Sequence, residues 1–124
     1  MAVNPKFNAL LEKIRDTHDR KNSNYARPED PFFNFRGCEE IGIPAWKGVL
    51  VRMGDKWNRI QNLANGVPDR VGESILDTLE DLAVYALIDI LLYKEELEKL
   101  EDKQAERCMP GPIEPVGYRQ GIPI

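Results

Sequence analysis

Two charged constellations in this chain have the residue types and spacing for chemistry. Glu73, Asp77 and Asp81 recur every four residues, with Glu80 beside them. On a helix this spacing lays the carboxylates along one face, where like charges one turn apart repel by about 0.2–0.5 kcal/mol per pair unless a cation gathers them. Mg²⁺ suits such a row, because it takes hard oxygen ligands and keeps positions for waters and phosphate oxygens. A local reading stands beside it: Ser74-x-x-Asp77 has the form of a capping box, and acids favour the first turn of any helix. The second constellation is Arg52, Asp55, Lys56 and Arg59, at offsets 0, 3, 4 and 7. Three cations on two turns repel one another unless an anion sits among them. Phosphate fits forked guanidinium groups and a compact ammonium; a solvated helix face is the alternative.

Helical periodicity positions both sets. Asn4-Pro5 announces a first helix running to about Arg20, with Phe7, Leu10, Leu11, Ile14 and His18 on one stripe. On that stripe His18 reads as a packed residue rather than a catalytic one. Residues 21 to 44 carry three prolines, two glycines and the aromatics Tyr25, Phe32, Phe33 and Phe35, which predicts an ordered loop folded over the helices. A second helix opens near Pro44 and closes before Gly66. Its apolar arc is Val49, Leu50, Met53, Trp57, Ile60, Leu63 and Ala64, and Gly48 and Gly54 within it point to close approach of another backbone.

The third helix begins between Asp69 and Ser74 and reaches towards Lys103. Its expected core stripe is Ile75, Leu79, Leu82, Ala83 and Ala86. The acid row lies on another face that runs on into Val84, Tyr85 and Ile88, so it should open onto a cleft or an oligomer seam. Between Leu82 and Tyr93 the one charge is Asp89. A helix apolar all round must be buried all round, which predicts a homo-dimer or homo-tetramer. The expected architecture is all-α: one domain over residues 1–108, a bundle of three main helices with a long ordered loop, completed by oligomerisation. Residues 109–124 form a tail rich in proline and glycine.

Composition narrows the function classes. The chain has 124 residues, 42% hydrophobic and 31% charged, with a net charge of −4, which suits a globular domain and argues against non-specific coating of nucleic acid. The one histidine excludes a multi-histidine zinc site, and Cys38 and Cys108 form no metal-binding or redox pair motif, so a reducing cytoplasm is the expected location. No apolar run is long enough for a membrane span, and no nucleotide-binding glycine loop or nucleophile elbow occurs. Carboxylates and cations are left to do the work.

Four strings raise a more specific expectation: Lys21-Asn22-x-x-Tyr25-Ala26, Pro31-Phe32-x-Asn34-Phe35, Asp55-Lys56-x-x-Arg59-Ile60-x-Asn62-Leu63, and Glu73-Ser74-Ile75-x-Asp77-Thr78-Leu79-x-Asp81-Leu82-Ala83-x-Tyr85. Together, over about residues 18 to 92, they resemble the nucleotide-modification-associated domain of the first type, a phage-type family similar to the MazG-like all-α NTP pyrophosphatases. The resemblance implies a Mg²⁺-dependent site that cleaves a nucleoside triphosphate, possibly modified, to monophosphate and pyrophosphate, linked to phage nucleotide or DNA-base modification. Asp77 and Asp81 match the second acid element of that group, and Asp55 alone stands for the first. By the resemblance, Asp55, Asp77 and Asp81 are catalytic metal ligands, joined by Glu73. Lys21, Arg52, Lys56 and Arg59 neutralise phosphate. Tyr25, Phe32, Phe33 and Phe35 are the candidates to stack a base, Tyr25 and Phe35 first among them, and Asn34 and Asn62 to bond a base edge or sugar; plugging the end of the bundle is the structural alternative for the aromatics. A non-catalytic nucleotide-binding accessory subunit and a helical interaction module are the competing readings.

The metal reading has consequences for stability. An acid row without its ion would be self-repelling, so Asp81→Asn should stabilise the metal-free protein. Replacing Lys56 or Arg59 should weaken phosphate binding while leaving stability unchanged or raised.

Overall fold

Asn4 starts the first helix as its type suggests: the Asn4 side chain accepts a hydrogen bond from the Phe7 backbone N–H at 3.1 Å, and Pro5 follows at the first helical position. The computed structural model describes residues 2–24, 27 and 29–108. Within them lie α1 (Pro5–Asn22), two short 3₁₀ turns (Phe33–Phe35 and Gly37–Ile41), α2 (Ala45–Ala64) and α3 (Ile75–Cys108), with no β-strand among the described residues. Tyr25 and the tail expected over 109–124 lie outside the described residues. No helix among the described residues is long and apolar enough to cross a membrane.

Local chemistry explains the remaining helix ends. α2 stops at Gly66, whose φ of +92° suits glycine. The Gly66 N–H bonds back to the Leu63 carbonyl (3.2 Å), and the Val67 N–H to that of Asn62 (3.0 Å). α3 starts with the capping box: the Asp77 N–H donates to Ser74 Oγ at 3.1 Å, and the Ser74 N–H faces Asp77 Oδ2 at 3.4 Å. Gly48 is needed for a close approach, but by a side chain rather than a backbone: a Cβ there would lie 2.6 Å from Cys38 Sγ. Gly54 faces open space, so the reason expected for it does not hold.

α2 and α3 pack on each other, and the loop between α1 and α2 closes one end. The core is Phe35, Ala45, Val49, Ile88 and Leu92, with Phe32, Trp46, Met53, Val84 and Tyr85 against it. Phe35 therefore plugs the bundle, its ring edge-to-face with Tyr85. Arg36 pins the loop down. Its guanidinium donates to Asp30 and reaches Glu95 on α3 at 3.1 Å, and the Asp30 carboxyl is held below the usual carboxylate range by that hydrogen bond.

Two expected core stripes lie elsewhere. On α1 only Ile14 is buried, whereas Phe7, Leu10 and Leu11 stay at least 41% exposed. α1 reaches α3 through Ile14 and two lysine–carboxylate pairs, and its first half stands clear. On α3, Ile75, Leu79 and Ala83 are exposed, and the buried line is Thr78, Ile88 and Leu92. The helix is turned to bring its acids to the cations of α2, which carries the apolar stripe outward. The α2 arc splits likewise: Val49 and Ile60 enter the core while Leu50 and Trp57 remain about half exposed.

Arg36→Ala should free the loop and leave two part-buried carboxylates without their cation. We expect a loss of roughly 2–4 kcal/mol in unfolding free energy by urea denaturation, with the α-helical circular dichroism retained. A variant within 0.5 kcal/mol of the native chain (about the noise of a neutral surface substitution) would contradict this role.

Candidate functional site

The acid face of α3 does open onto a cleft. Its volume is about 730 Å³, and its walls come from the second half of α1, the first 3₁₀ turn, α2 and the first half of α3. Glu73, Asp77, Glu80 and Asp81 form one wall; Lys21, Asn34, Phe35 and Arg52 belong to the other sides, and Tyr85 and Ile88 lie deeper. The acids expected to share a face therefore share a cleft with four of the residues expected to bind substrate.

The anion among the α2 cations is the α3 acid row itself. Lys56 Nζ lies 3.2 Å from Asp81 and 3.8 Å from Glu73. Lys21, arriving from α1, lies 3.7 Å from the other Asp81 oxygen. Asp81, half-buried, is thus held between ammonium groups from two different helices. Burial disfavours the Lys56 ammonium, but the Asp81 and Glu73 carboxylates outweigh it and raise the Lys56 pKa above its ordinary value. At the cleft edge Lys13 pairs with Glu80 at 3.5 Å.

Several expected residues are placed elsewhere. Asp55 is exposed and does not line the cleft. It sits 100° round the helix from Lys56, so the rotation that brings Lys56 to Asp81 turns Asp55 away. Asn62 is also exposed; its carbonyl serves the α2 terminus. Arg59 points to the α2–α3 connection rather than the cleft, reaching Asp69 at 2.8 Å, the Glu73 carboxylate at 3.4 Å and the Glu73 backbone carbonyl. The Arg59 guanidinium is the main cause of a lowered Asp69 pKa. Phe35 is buried, with Arg52 over its ring at 5.0 Å, so the ring is not free to stack a base.

Thr17, His18 and Asn22 line the cleft although none was singled out for it. Their signal was present: with Lys21 they lie at offsets 0, 1, 5 and 4 on α1, one face of the helix leading into the loop. Asn34 adds a buried side-chain oxygen with no partner among the described residues, and its backbone carbonyl accepts from Arg52 at 3.3 Å.

Among the described residues, no three histidine, cysteine, aspartate or glutamate side chains come together as a metal cage. The donor set fits Mg²⁺ in a narrower sense. Asp77 and Asp81 both face the cleft one turn apart, and Mg²⁺ is commonly held by one or two carboxylates with substrate phosphates and waters completing the shell. Asp55 does not belong to that set.

Comparison with family models, with curated proteins and with solved structures finds no match to this chain.

The ion pairs reverse two expected signs. Asp81→Asn should lower the melting temperature of the ligand-free protein, because it strands Lys56 in a half-buried site; a loss of roughly 1–3 kcal/mol is expected in thermal or urea unfolding. Arg59→Ala should also lower stability, since it releases Asp69 and Glu73, whereas its effect on ligand affinity should be small. A rise in stability for either variant would show that these pairs do not hold the helices.

Proposed function

We propose that the cleft binds the phosphates of a nucleotide together with Mg²⁺, and that the chain is a MazG-like, Mg²⁺-dependent nucleoside triphosphate pyrophosphohydrolase-like protein working as a homo-dimer or homo-tetramer. The observation that carries this reading is the Asp81 clasp. A cleft whose carboxylates are already neutralised by lysines suits a ligand that is itself a cation–anion pair: the carboxylates pass to the metal and the lysines to the phosphates, with little change in net charge. A bare metal ion or a bare anion would each leave one half of the clasp unpartnered in a half-buried site.

Asp81 and Asp77 are the carboxylates we assign to the metal, with Glu73 beside them. Mg²⁺, when bound, neutralises phosphate charge and lowers the pKa of a coordinated water. Lys21 and Arg52, which line the cleft, would receive phosphate oxygens, with Lys56 behind Asp81 adding positive charge rather than lining the cleft, the positioning and electrostatics on which phosphoryl chemistry depends. Asn34, in the cleft wall, is the residue we assign to a base edge or sugar. The resemblance of the sequence strings adds the substrate class, a normal or modified nucleoside triphosphate in the setting of phage nucleotide or DNA-base modification. A non-catalytic nucleotide-binding subunit is the second reading. It is favoured by the exposure of Asp55, which leaves the first acid element of the pyrophosphatase pattern outside the cleft.

A panel of ribo- and deoxyribonucleoside triphosphates, assayed with Mg²⁺ for binding and for pyrophosphate, tests both readings. Release of pyrophosphate from at least one is expected. Binding without release supports the accessory subunit, and absence of binding across the panel contradicts the assignment. Arg52→Ala should weaken nucleotide binding about 10- to 100-fold, the loss of one charge-assisted hydrogen bond, without unfolding the protein.

A further inference from the structure

The side of α3 opposite the acid cleft carries an uncovered apolar seam. Leu76, Leu79, Ala83, Ala86, Ile90, Tyr93, Leu97 and Leu100 follow one another at alternating steps of three and four. That is an uninterrupted heptad pattern over some seven turns of helix. Leu76 is 62% exposed and Ile90 52%, and the other large members are between 41% and 46%. Leu50 of α2 borders the seam beside Ala86 and Ile90, and Leu50 and Trp57 of α2 are both about half exposed. Together these side chains leave roughly 800 Å² of surface in water, one partner's share of a standard protein interface and more than the largest apolar patch of most monomers.

We infer that a second copy of this chain covers this face, with the two α3 helices antiparallel about a two-fold axis beside Ile88. The deeper assignment builds on the self-association proposed above and is independent of the nucleotide chemistry. Read backwards, the seam complements itself: Leu76 meets Leu100, Leu79 meets Leu97, Ala83 meets Tyr93 and Ala86 meets Ile90. Each small residue in the central layers faces a large one. A parallel pair would stack alanine on alanine in two adjacent layers and tyrosine on tyrosine in a third, leaving voids beside an overpacked layer.

Alongside the seam, between α2 and α3, runs a groove of about 360 Å³ lined by Trp46, Leu50, Met53, Asp89, Ile90 and Tyr93, among others. The contact lies on the far side of α3 from the cleft, and both clefts stay open.

Sedimentation velocity on the full chain at micromolar concentration, without nucleotide, tests the inference. A species of twice the 14.2 kDa chain mass, or a higher even multiple, is expected. Ile90→Glu and Leu97→Glu should each weaken the association on the order of thirtyfold or more while retaining helical circular dichroism. Val51→Glu, an exposed apolar position on the outer side of α2, should leave it unchanged. Leu97 lies beyond the core, so that variant remains informative if Ile90→Glu fails to fold. For orientation, a chain carrying both Leu79→Cys and Leu97→Cys should form intermolecular disulfides more readily than either single variant. A monomeric native chain, a dimer indifferent to both seam variants, or equal cross-linking by Leu79→Cys alone would overturn the proposal.

Discussion

Asp81 is held by ammonium groups from both other helices, Lys21 of α1 and Lys56 of α2, and the orientation of the bundle follows from that contact. A carboxylate partly withdrawn from water needs a cation, and a partly withdrawn lysine needs an anion. Satisfying both sets the rotation of α3 about its axis. Tyr85, Ile88 and Leu92, on the same side further along, are thereby directed to the core with Phe35 and Val49. The remaining apolar side chains of a helix that is apolar on nearly every side then lie at the flank of the α2–α3 contact and beyond it. The clasp that builds the cleft therefore also exposes the seam.

The loop is secured by the same kind of interaction at the other end of the molecule. Arg36 gathers Asp30, Glu39 and Glu95, tying the aromatic segment to the middle of α3. With Phe35 fixed beneath it, Arg52 is left at the rim of the cleft, over the ring and hydrogen-bonded to the Asn34 carbonyl. The carboxylates Glu80 and Asp81 and the guanidinium of Arg52 that border the cleft are in this way already partnered, and under the proposed function binding there exchanges partners rather than filling an empty charged site.

Much of this was legible in the residues. The three helices, their caps at Asn4, Ser74 and Gly66, the folding of Phe35 back onto the helices and the opening of the acid face onto a cleft all follow from local rules that act within a few residues. Rotation of the helices did not follow. Periodicity shows that α3 has an apolar stripe at Ile75, Leu79 and Ala83, but not whether the single chain or another copy covers it. The stripe on α1 fails for the same reason. Spacing alone leaves the α2 cations to phosphate or to solvent, because their partners, Glu73 and Asp81, lie 14 to 25 residues further on, beyond any spacing rule. Once Lys56 is known to face Asp81, the exposure of Asp55 follows from helix geometry alone.

Partner exchange at the clasp makes a demand that simple metal binding or simple anion binding does not: the two ligands must help each other. Thermal unfolding of the native chain in Mg²⁺ alone, in a triphosphate alone and in both together measures that coupling directly. Shifts near zero are expected for either component by itself, and a rise of roughly 5–10 °C when both are present about a hundredfold above their joint dissociation constant. A full shift from Mg²⁺ alone, or no shift from the pair with any triphosphate, would contradict partner exchange at the clasp.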